Sequence, residues 1–316
     1  MRRLYLMIVL MTIMLVAGSC RRRPLVEVDN NVLLNITIGT DIVNYEVKTP
    51  PEMMRAIFFD SQTGDFVSHS FLPHHGGYVH LMPGREYDIL VYNFDTEATI
   101  VDADYNINYI FAYTNLVPEN IKSKLKGRAG KSPDEMIVFE PDHLFVGKLE
   151  DVYIPKRGYG MPAYEIDIHA ETVVQTWIVE IDKVIGAEYV SAASSVISGL
   201  ADHNIIGRRE QSYDEATVFF EAASLTKDGH FYAKFNTFGR NDLADLSQIL
   251  SLVLTDTGGK SWCFNMDISE KFIDNPEQYI LIRTDDIVIE KPEQTGGGGL
   301  APEVEEWGEI NTEIII

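Results

Sequence analysis

Cysteine is scarce in this chain of 316 residues, which has two, Cys20 and Cys263. The sequence around Cys20 predicts a separate role for that cysteine, so Cys263 has no partner left for an intramolecular disulfide. A small scaffold held by disulfides is therefore excluded. Hydrophobic residues make up 45% of the sequence, which is enough to build a core in a chain of this length.

Basic residues are also scarce, because 26 Lys and Arg face 48 Asp and Glu, a formal net charge of −22. A strongly acidic surface disfavours nucleic acid and anionic lipid, which both attract basic patches. We therefore expect no nucleic-acid partner. The composition suits a soluble body that a tether holds above a membrane.

Long hydrophobic runs are absent except at residues 4–17, which follow Arg2 and Arg3. A helix that spans a bilayer needs about 20 apolar residues, and this run is shorter. Residues 17–19 are Ala, Gly and Ser. A positive start, a short apolar run and small residues before a break are typical of a secretory signal peptide, predicted here at residues 1–19.

The cysteine that follows this segment has a predicted role. In "LVAGSC" the small residues lead directly into Cys20, which resembles the lipobox of bacterial lipoproteins. The resemblance implies cleavage before Cys20 and acyl chains on its thiol and on the new amino terminus. Each buried methylene contributes about 0.8 kcal/mol, so more than one chain makes a durable anchor. The alternative is an ordinary signal peptide with an incidental cysteine.

Alternation with a period of two residues dominates the rest of the chain and predicts strands with one buried face. The clearest case is "NVLLNITIGT", which places on one face Val32, Leu34, Ile36 and Ile38. Similar runs follow, separated by turn residues such as Pro83 and Gly84. Helical periodicity is weak, with candidates at residues 119–126 and 188–200. The pattern predicts an all-β protein with two tandem β-sandwich domains.

The domain boundary is placed at "PKRGYGMPAY", a cluster of Pro, Gly and basic residues that precedes a long alternating stretch, "EIDIHAETVVQTWIVEI". We expect this stretch to be one strand covered on both faces. The predicted segments are a signal peptide at 1–19, a lipidated tether at 20–30, an N-terminal β-sandwich at 31–164, a C-terminal β-sandwich at 165–292, and a Gly-rich linker with a C-terminal strand at 293–316.

Some residues in the sequence could bind a metal or take part in catalysis, but in each case an ordinary structural role explains their pattern better. The histidines are dense at His69, His74, His75 and His80, but no nearby carboxylate or cysteine completes a metal-ligand set, and a solvated hairpin explains them better. "DADYNINY" begins like a calcium loop but lacks its glycine and its final glutamate. We therefore predict that the chain is not an enzyme, and that it has no catalytic residue, cofactor site or metal site.

Four stretches carry a resemblance to a known family: "CRRRPL" at 20–25, "GREYDILVYNFDTE" at 84–97, "FNMDISEKFIDNP" at 264–276 and "VEEWGEI" at 304–310. With them the chain resembles the fimbrillin-like lipoproteins of Bacteroides-type bacteria, in a branch grouped with minor-fimbrium anchor proteins. The resemblance implies two transthyretin-like β-sandwiches and export as a lipoprotein. It also implies that structural subunits polymerise by strand exchange, while anchor subunits keep their lipid and hold the fibre on the outer membrane.

The function expected from this resemblance is that of a fimbrial (pilus) anchor or accessory subunit, lipid-anchored in the outer membrane at the cell surface. Other pilus subunits would be its partners. The predicted strand-exchange segment contains Ile310, Thr312, Ile314, Ile315 and Ile316. A strand of this kind either joins another subunit by β-augmentation or completes its own domain, and both alternatives remain open. The alternative function is a glycan- or ligand-binding surface lipoprotein that does not polymerise.

Overall fold

The computed structural model of the protein describes residues 31–41, 51–103, 106–122, 125, 136–158, 160–222, 224–240, 247–292 and 307–309. Strands dominate these residues, and each of the two α-helices among them has only four residues. The prediction of an all-β protein built from β-sandwiches is confirmed. Within this part of the chain, no helix has the length and apolar character that a bilayer span requires.

The regular elements follow one another along the whole chain. The strands are β1 Val32–Asp41, β2 Met53–Asp60, β3 Phe66–Pro73, β4 Gly76–Leu81, β5 Arg85–Asn93, β6 Thr99–Ala103, β7 Ile110–Thr114, β8 Ile137–Phe139, β9 Phe145–Ile154, β10 Tyr164–Thr172, β11 Gln175–Ile181, β12 Val190–Ala201, β13 His203–Ile205, β14 Glu210–Gln211, β15 Glu215–Glu221, β16 Ser224–Leu225, β17 Phe231–Thr237, β18 Ile249–Asp256, β19 Ser261–Asp267, β20 Tyr279–Ile282 and β21 Trp307–Glu309. The helices are α1 Glu119–Lys122 and α2 Ser269–Phe272, and two 3₁₀ segments span Ile107–Tyr109 and Ala187–Tyr189.

The first sheet has seven strands in the order β3-β2-β5-β9-β10-β1-β4. β3 and β4 are consecutive in the chain and in contact, although they lie at opposite ends of this order, so the sheet rolls up around its own core. The alternation predicted for β1 is confirmed, since Leu34 and Ile36 point into this core with exposures of 0% and 1%. They pack there with side chains of the other strands, such as Phe58 and Ile89.

The C-terminal part is a sandwich of two sheets. A six-stranded sheet has the order β21-β19-β18-β12-β15-β8, and a four-stranded sheet has the order β16-β17-β11-β20. Their facing side chains form the second core, where the rings of Phe220 and Phe235 stack at 4.6 Å and Trp177 packs against Phe272 at 4.2 Å. This second core belongs to the C-terminal part of the chain, and the core inside the rolled first sheet belongs to the N-terminal part.

A third, small sheet combines strands from distant parts of the chain in the order β14-β13-β7-β6. β7 pairs with β13 through His203↔Tyr113, Asn204↔Ala112 and Ile205↔Phe111. One face of this sheet packs on the outer side of the first sheet, where Ile57 and Leu90 belong to the same cluster as Ala112 and Ile206. The third sheet therefore joins the two parts of the molecule.

The long stretch expected to be one strand is two strands, which corrects that prediction. β10 ends at Thr172, whose hydroxyl accepts a hydrogen bond from the Val174 N–H at 3.2 Å, and the chain then enters β11 in a different sheet. β10 pairs in parallel with β1, from Leu34↔Tyr164 to Asp41↔Glu171, so the first sheet extends to Thr172 rather than to residue 164. The division into two tandem domains itself stays a prediction.

The helix considered at residues 188–200 is also wrong, because β12 occupies most of this range. β12 lies between β15 and β18 and pairs with both in antiparallel register, so hydrogen bonding on its two sides determines its conformation. In the range 119–126, where a helix was also considered, α1 spans Glu119–Lys122, and the described Leu125 is in 3₁₀ conformation.

Asp142 holds the connection between β8 and β9 against β6. Its Oδ2 accepts hydrogen bonds from the backbone N–H groups of Glu97 at 2.7 Å, Ala98 at 2.5 Å and Thr99 at 3.1 Å. The Asp142 N–H also donates to the Thr99 hydroxyl at 2.8 Å. One carboxylate thus satisfies three donors of a turn that is far away in sequence, and hydrogen bonds to carboxylates are stronger than those between neutral groups.

Replacing Asp142 by alanine is expected to destabilise the fold, because the change leaves these donors without their acceptor. We expect Asp142→Ala to lower the free energy of unfolding by about 2 kcal/mol and Asp142→Asn by about 1 kcal/mol. Urea denaturation followed by tryptophan fluorescence measures both. Asp228→Ala is the matched control, because Asp228 is an exposed turn residue. A loss for Asp142→Ala no larger than that of the control would contradict this role.

Candidate functional site

The two edges of the six-stranded sheet are the strongest candidate for an assembly site. Each edge is a strand of three residues, β8 beside β15 and β21 beside β19, and both pairings are parallel. The inner pairs β12–β15, β12–β18 and β18–β19 are antiparallel. A tight hairpin joins only antiparallel neighbours. Both edges are therefore completed by segments that arrive from distant parts of the chain.

The β19 edge is the one that lies next to the predicted C-terminal strand. β21 pairs with it through Cys263↔Trp307, Phe264↔Gly308 and Asn265↔Glu309. On its other side β19 pairs with β18 along all seven of its residues. We call the side of β19 that carries β21 the strand-addition edge. Among the described residues, β21 pairs with the middle of this edge.

The outer face of the six-stranded sheet is covered as well as the inner one. Val253 and Cys263 are buried there, with exposures of 5% and 9%, and they cluster with Val117 and Leu125 of the segment that lies across the sheet. Sheets buried on both faces use strands with apolar side chains on both sides. The edge at β19 therefore lies between two apolar layers.

Polar groups fix the conformation of this edge. The Ser251 hydroxyl donates to Asn265 Oδ1 at 2.6 Å on the buried outer face. At the β18–β19 turn, Asp256 Oδ1 accepts from the N–H groups of Gly258 at 2.8 Å and Lys260 at 3.0 Å. The Lys260 ammonium lies 4.1 Å from the centre of the Trp262 ring, a cation–π contact. These contacts fix β19 against β18.

Burial shifts the pKa of two titratable groups that lie between the two parts of the molecule. Burial raises the pKa of Glu140, whose carboxylate accepts the Asn236 N–H at 3.0 Å. Burial, followed by the charge of Lys234, lowers the pKa of His143, whose Nε2 lies 3.1 Å from the Thr176 hydroxyl. Burial therefore favours the neutral form of the His143 ring.

A cleft of about 770 Å³ opens where the third sheet meets β8. The strand register puts Asp102 beside Phe111, and Tyr113 beside His203, on one face of this sheet, and all four line the cleft. The Phe111 and His203 rings meet edge to face at 5.2 Å. Aromatic rings and carboxylates on one wall suit a ligand that is both apolar and rich in hydroxyl groups.

Sequence analysis missed one cluster of potential metal ligands. Asp202, His203 and Asp214 are the group of this kind found among the described residues, and His203 Nδ1 lies 2.5 Å from Asp202 Oδ1. The adjacent Asp202 and His203 were the only signal in the sequence. The four histidines singled out there lie instead on β3, on β4 and in the turn between them, where His69, His75 and His80 are exposed.

The residues predicted for lipidation and strand exchange lie outside the described part of the chain. These are Cys20 and the terminal Ile310, Thr312, Ile314, Ile315 and Ile316. The described strand nearest to them is β21, which ends one residue before Ile310. Trp177 of β11 lies in the core, with an exposure of 4%.

Comparison with known proteins adds three findings. Residues 19–221 match the family model described as "Domain of unknown function (DUF5119)". The "Putative fimbrium anchoring subunit Fim4B" of Bacteroides ovatus is 25% identical over an alignment of 344 residues that covers 98% of each chain. The crystal structure of a "putative adhesin" from the same species superposes with a TM-score of 0.63 and 23% identity, over 87% of this chain and 98% of that one.

A further solved structure has a more distant likeness. The fimbrial anchor protein Mfa2 from Porphyromonas gingivalis superposes with a TM-score of 0.49 and 13% identity, over 80% of this chain and 90% of that one.

Proposed function

The chain belongs to the DUF5119 family, and from its similarity to Fim4B and the geometry of its sheet edges we propose that it is a fimbrial anchor or accessory subunit that assembles through β-strands. The resemblance to fimbrial proteins drawn from the sequence is confirmed by the similarity to Fim4B along the whole chain. The single observation that carries the mechanism is β21, a short parallel strand on the strand-addition edge.

The anchor in this proposal is Cys20. The signal-peptide pattern of residues 1–19 and the small residues before Cys20 support acylation and retention in the outer membrane. The name of Fim4B, a fimbrium anchoring subunit, supports a location at the cell surface and an association with other fimbrial subunits. The lipid would hold one end of the protein, and the fimbria would attach elsewhere.

Attachment of the fimbria is proposed to occur at the strand-addition edge. Main-chain hydrogen bonds would supply affinity, and the apolar layers on the two faces would select the register of the added strand. The terminal run of Ile314, Ile315 and Ile316 suits such an edge, because consecutive isoleucines put apolar side chains on both faces of a strand. β21 pairs with β19 of its own chain. We therefore propose that the strand of a joining subunit displaces β21 from this edge.

A disulfide that fixes β21 to the strand-addition edge, and so locks this edge, tests this function. Cys263 and Trp307 are direct cross-strand partners, so Trp307→Cys puts two cysteines at paired positions that a disulfide can bridge. We expect cells with the oxidised variant to lose their attached fimbriae and to regain them after reduction with dithiothreitol. The measurement is the number of fimbriae per cell by electron microscopy.

The matched control carries Trp307→Cys together with Cys263→Ser and should not respond to the redox change. A locked variant, shown to be cross-linked within one chain on a non-reducing gel, that keeps its fimbriae would contradict strand displacement at this edge.

The second candidate function, glycan binding without polymerisation, is supported by the cleft. Sugar rings stack on aromatic faces and donate hydroxyl hydrogen bonds to carboxylates, and this cleft offers Phe111 and Tyr113 beside Asp102 and Asp202. Specific capture of a glycan by cells that keep their fimbriae when the edge is locked would favour this second function.

A further inference from the structure

A cavity of about 860 Å³ lies at the end of the first sheet where the described chain begins. Three groups of described residues line it: Asn31 with the start of β1, the turn between β4 and β5 with Met82 and the adjoining Arg85, and residues 156–158 and 160–162 after β9. The Gly84 N–H donates to Ile154 O at 2.6 Å, which joins the turn to the end of β9. The cavity is therefore built on strand ends of the rolled sheet.

The charge of this cavity is opposite to the charge of the protein. Arg85, Lys156 and Arg157 line it, and none of the described residues around it is Asp or Glu. Arg157 Nη1 donates to Pro162 O at 2.9 Å, which closes the loop with a neutral acceptor. On its other side Arg85 borders a smaller depression that contains Asp60 and Glu86. No ion pair is found for these three cations among the described residues.

Cations elsewhere in the described part of the chain do form ion pairs. Examples are Lys148–Glu150 and Lys183–Asp285 at 2.6 Å, Arg209–Glu171 at 2.7 Å and Arg283–Asp182 at 3.0 Å. Acidic residues outnumber basic ones by 48 to 26, so partners are abundant. The described residues that line this cavity thus include three cations and no carboxylate, a balance that favours an anion. The acidic average charge of the protein does not describe this surface.

The distance of the cavity from Cys20 along the chain indicates which end of the protein is nearer to the lipid anchor. Asn31 is eleven residues after Cys20, and an extended chain covers at most about 3.6 Å per residue, so the cavity lies within about 40 Å of the acylated residue. β10 starts beside this end of the sheet and runs for nine residues, about 30 Å, before the chain enters the C-terminal sandwich. The strand-addition edge therefore belongs to the part of the protein farther from the cavity.

The rim of the cavity is apolar and exposed. Met82 and Met161 flank the cations with exposures of 52% and 60%. Flexible methionine side chains suit the boundary between head groups and acyl chains, and cations beside them suit phosphate groups. The combination is that of a surface that lies on a membrane.

We propose that this cavity docks onto the phosphate groups of an anionic lipid surface while the acyl chains of Cys20 are inserted, an inference that rests on the proposed lipid anchor. Each Lys or Arg near an anionic membrane increases binding about fivefold, so three contribute about a hundredfold. Docking fixes the orientation of the protein, with the cavity on the membrane and the strand-addition edge directed away from it.

Hydrogen exchange on the lipidated protein tests the proposal. The mature chain is reconstituted into nanodiscs of phosphatidylcholine, or of the same lipid mixed with phosphatidylglycerol. We expect the amides around Met82, Arg85 and Lys156 to be protected in the anionic discs only. A variant with Arg85→Gln, Lys156→Gln and Arg157→Gln is expected to lose this protection.

The matched control removes three positive charges from the C-terminal part, with Lys183→Gln, Lys227→Gln and Arg283→Gln, and should keep the protection. Equal protection in both lipids, or equal loss in the control, would overturn the proposal. Protection by inorganic phosphate alone, to the same extent, would show a pocket for a small phosphate ligand and would also overturn it.

Acylation of Cys20 and docking of the cavity are measured separately. The mass of the amino-terminal peptide shows whether Cys20 is acylated. If it is not, anionic vesicles added to that chain still report on the cavity: protection would support the docking surface although the anchor fails, and no protection would overturn it.

Discussion

A chain whose residues 1–20 are replaced by the signal peptide of a soluble exported protein is expected to leave the membrane fraction. Cys20 is then absent, and with it the acyl chains that each contribute about 0.8 kcal/mol per buried methylene. We expect the ratio of membrane-bound to soluble protein to fall at least about a hundredfold. Fractionation of cells and immunoblotting measure this ratio.

The control for this experiment is the second cysteine. Cys263→Ser changes the same chemical group at a buried position of the six-stranded sheet and should leave the protein in the membrane fraction. If the chain without Cys20 stayed in the membrane fraction after a carbonate wash, an attachment independent of lipid would have to hold it. The account of Cys20 would then be wrong.

The second large effect is expected at Gly207, in the turn between β13 and β14. A Cβ atom on Gly207 would lie 1.7 Å from the carbonyl oxygen of Ile107, in the 3₁₀ segment between β6 and β7. Neither backbone can move without opening the third sheet. We expect Gly207→Ala to lower the free energy of unfolding by about 3 kcal/mol. In a chain of about 300 residues the midpoint of thermal unfolding then falls by roughly 5 °C.

Gly158→Ala is the matched control, since a Cβ atom there has no neighbour within 4 Å. Differential scanning calorimetry compares the two variants with the unmodified protein. Similar melting temperatures for both variants would show that the close approach of Gly207 to Ile107 does not contribute to stability. The third sheet would then not join the two parts of the molecule tightly.

Local pattern was sufficient to predict the strands but not their partners. The alternation around Leu34 and Ile36 identified β1 and its buried face, because one side of that strand faces a core. No local signal pairs Tyr113 with His203, which are ninety residues apart, since the register of the third sheet depends on tertiary packing. The pairing of β8 with β15 is of the same kind.

Two mispredictions have a common physical cause. The small residues around Ser194 and Ser195 carry no strong preference, and only pairing with β15 and β18 makes this range a strand. The stretch around Thr172 alternates without interruption, although the chain changes sheets there. A period of two residues continues across such a crossing, so the pattern alone does not reveal it.

The candidate site was predictable only in part. The isoleucines at 314–316 predict an apolar strand at the C terminus, but the sequence does not indicate that β19 forms a sheet edge beside β21. That Cys263 lies opposite Trp307 depends on a parallel register between segments more than forty residues apart. The basic cavity was hidden for a similar reason, because Arg85 and Lys156 are brought together only by the pairing of β5 with β9.

Counting fimbriae on the cell and in the medium tests the central claim, that this protein anchors a fimbria, most directly. Cells that express the chain without Cys20 are compared with cells that express the unmodified protein, by electron microscopy and by quantifying fimbrial subunits in both fractions. We predict that fimbriae still form but are recovered in the medium when Cys20 is absent. Fimbriae that remain on the cells in unchanged number would contradict the anchoring role.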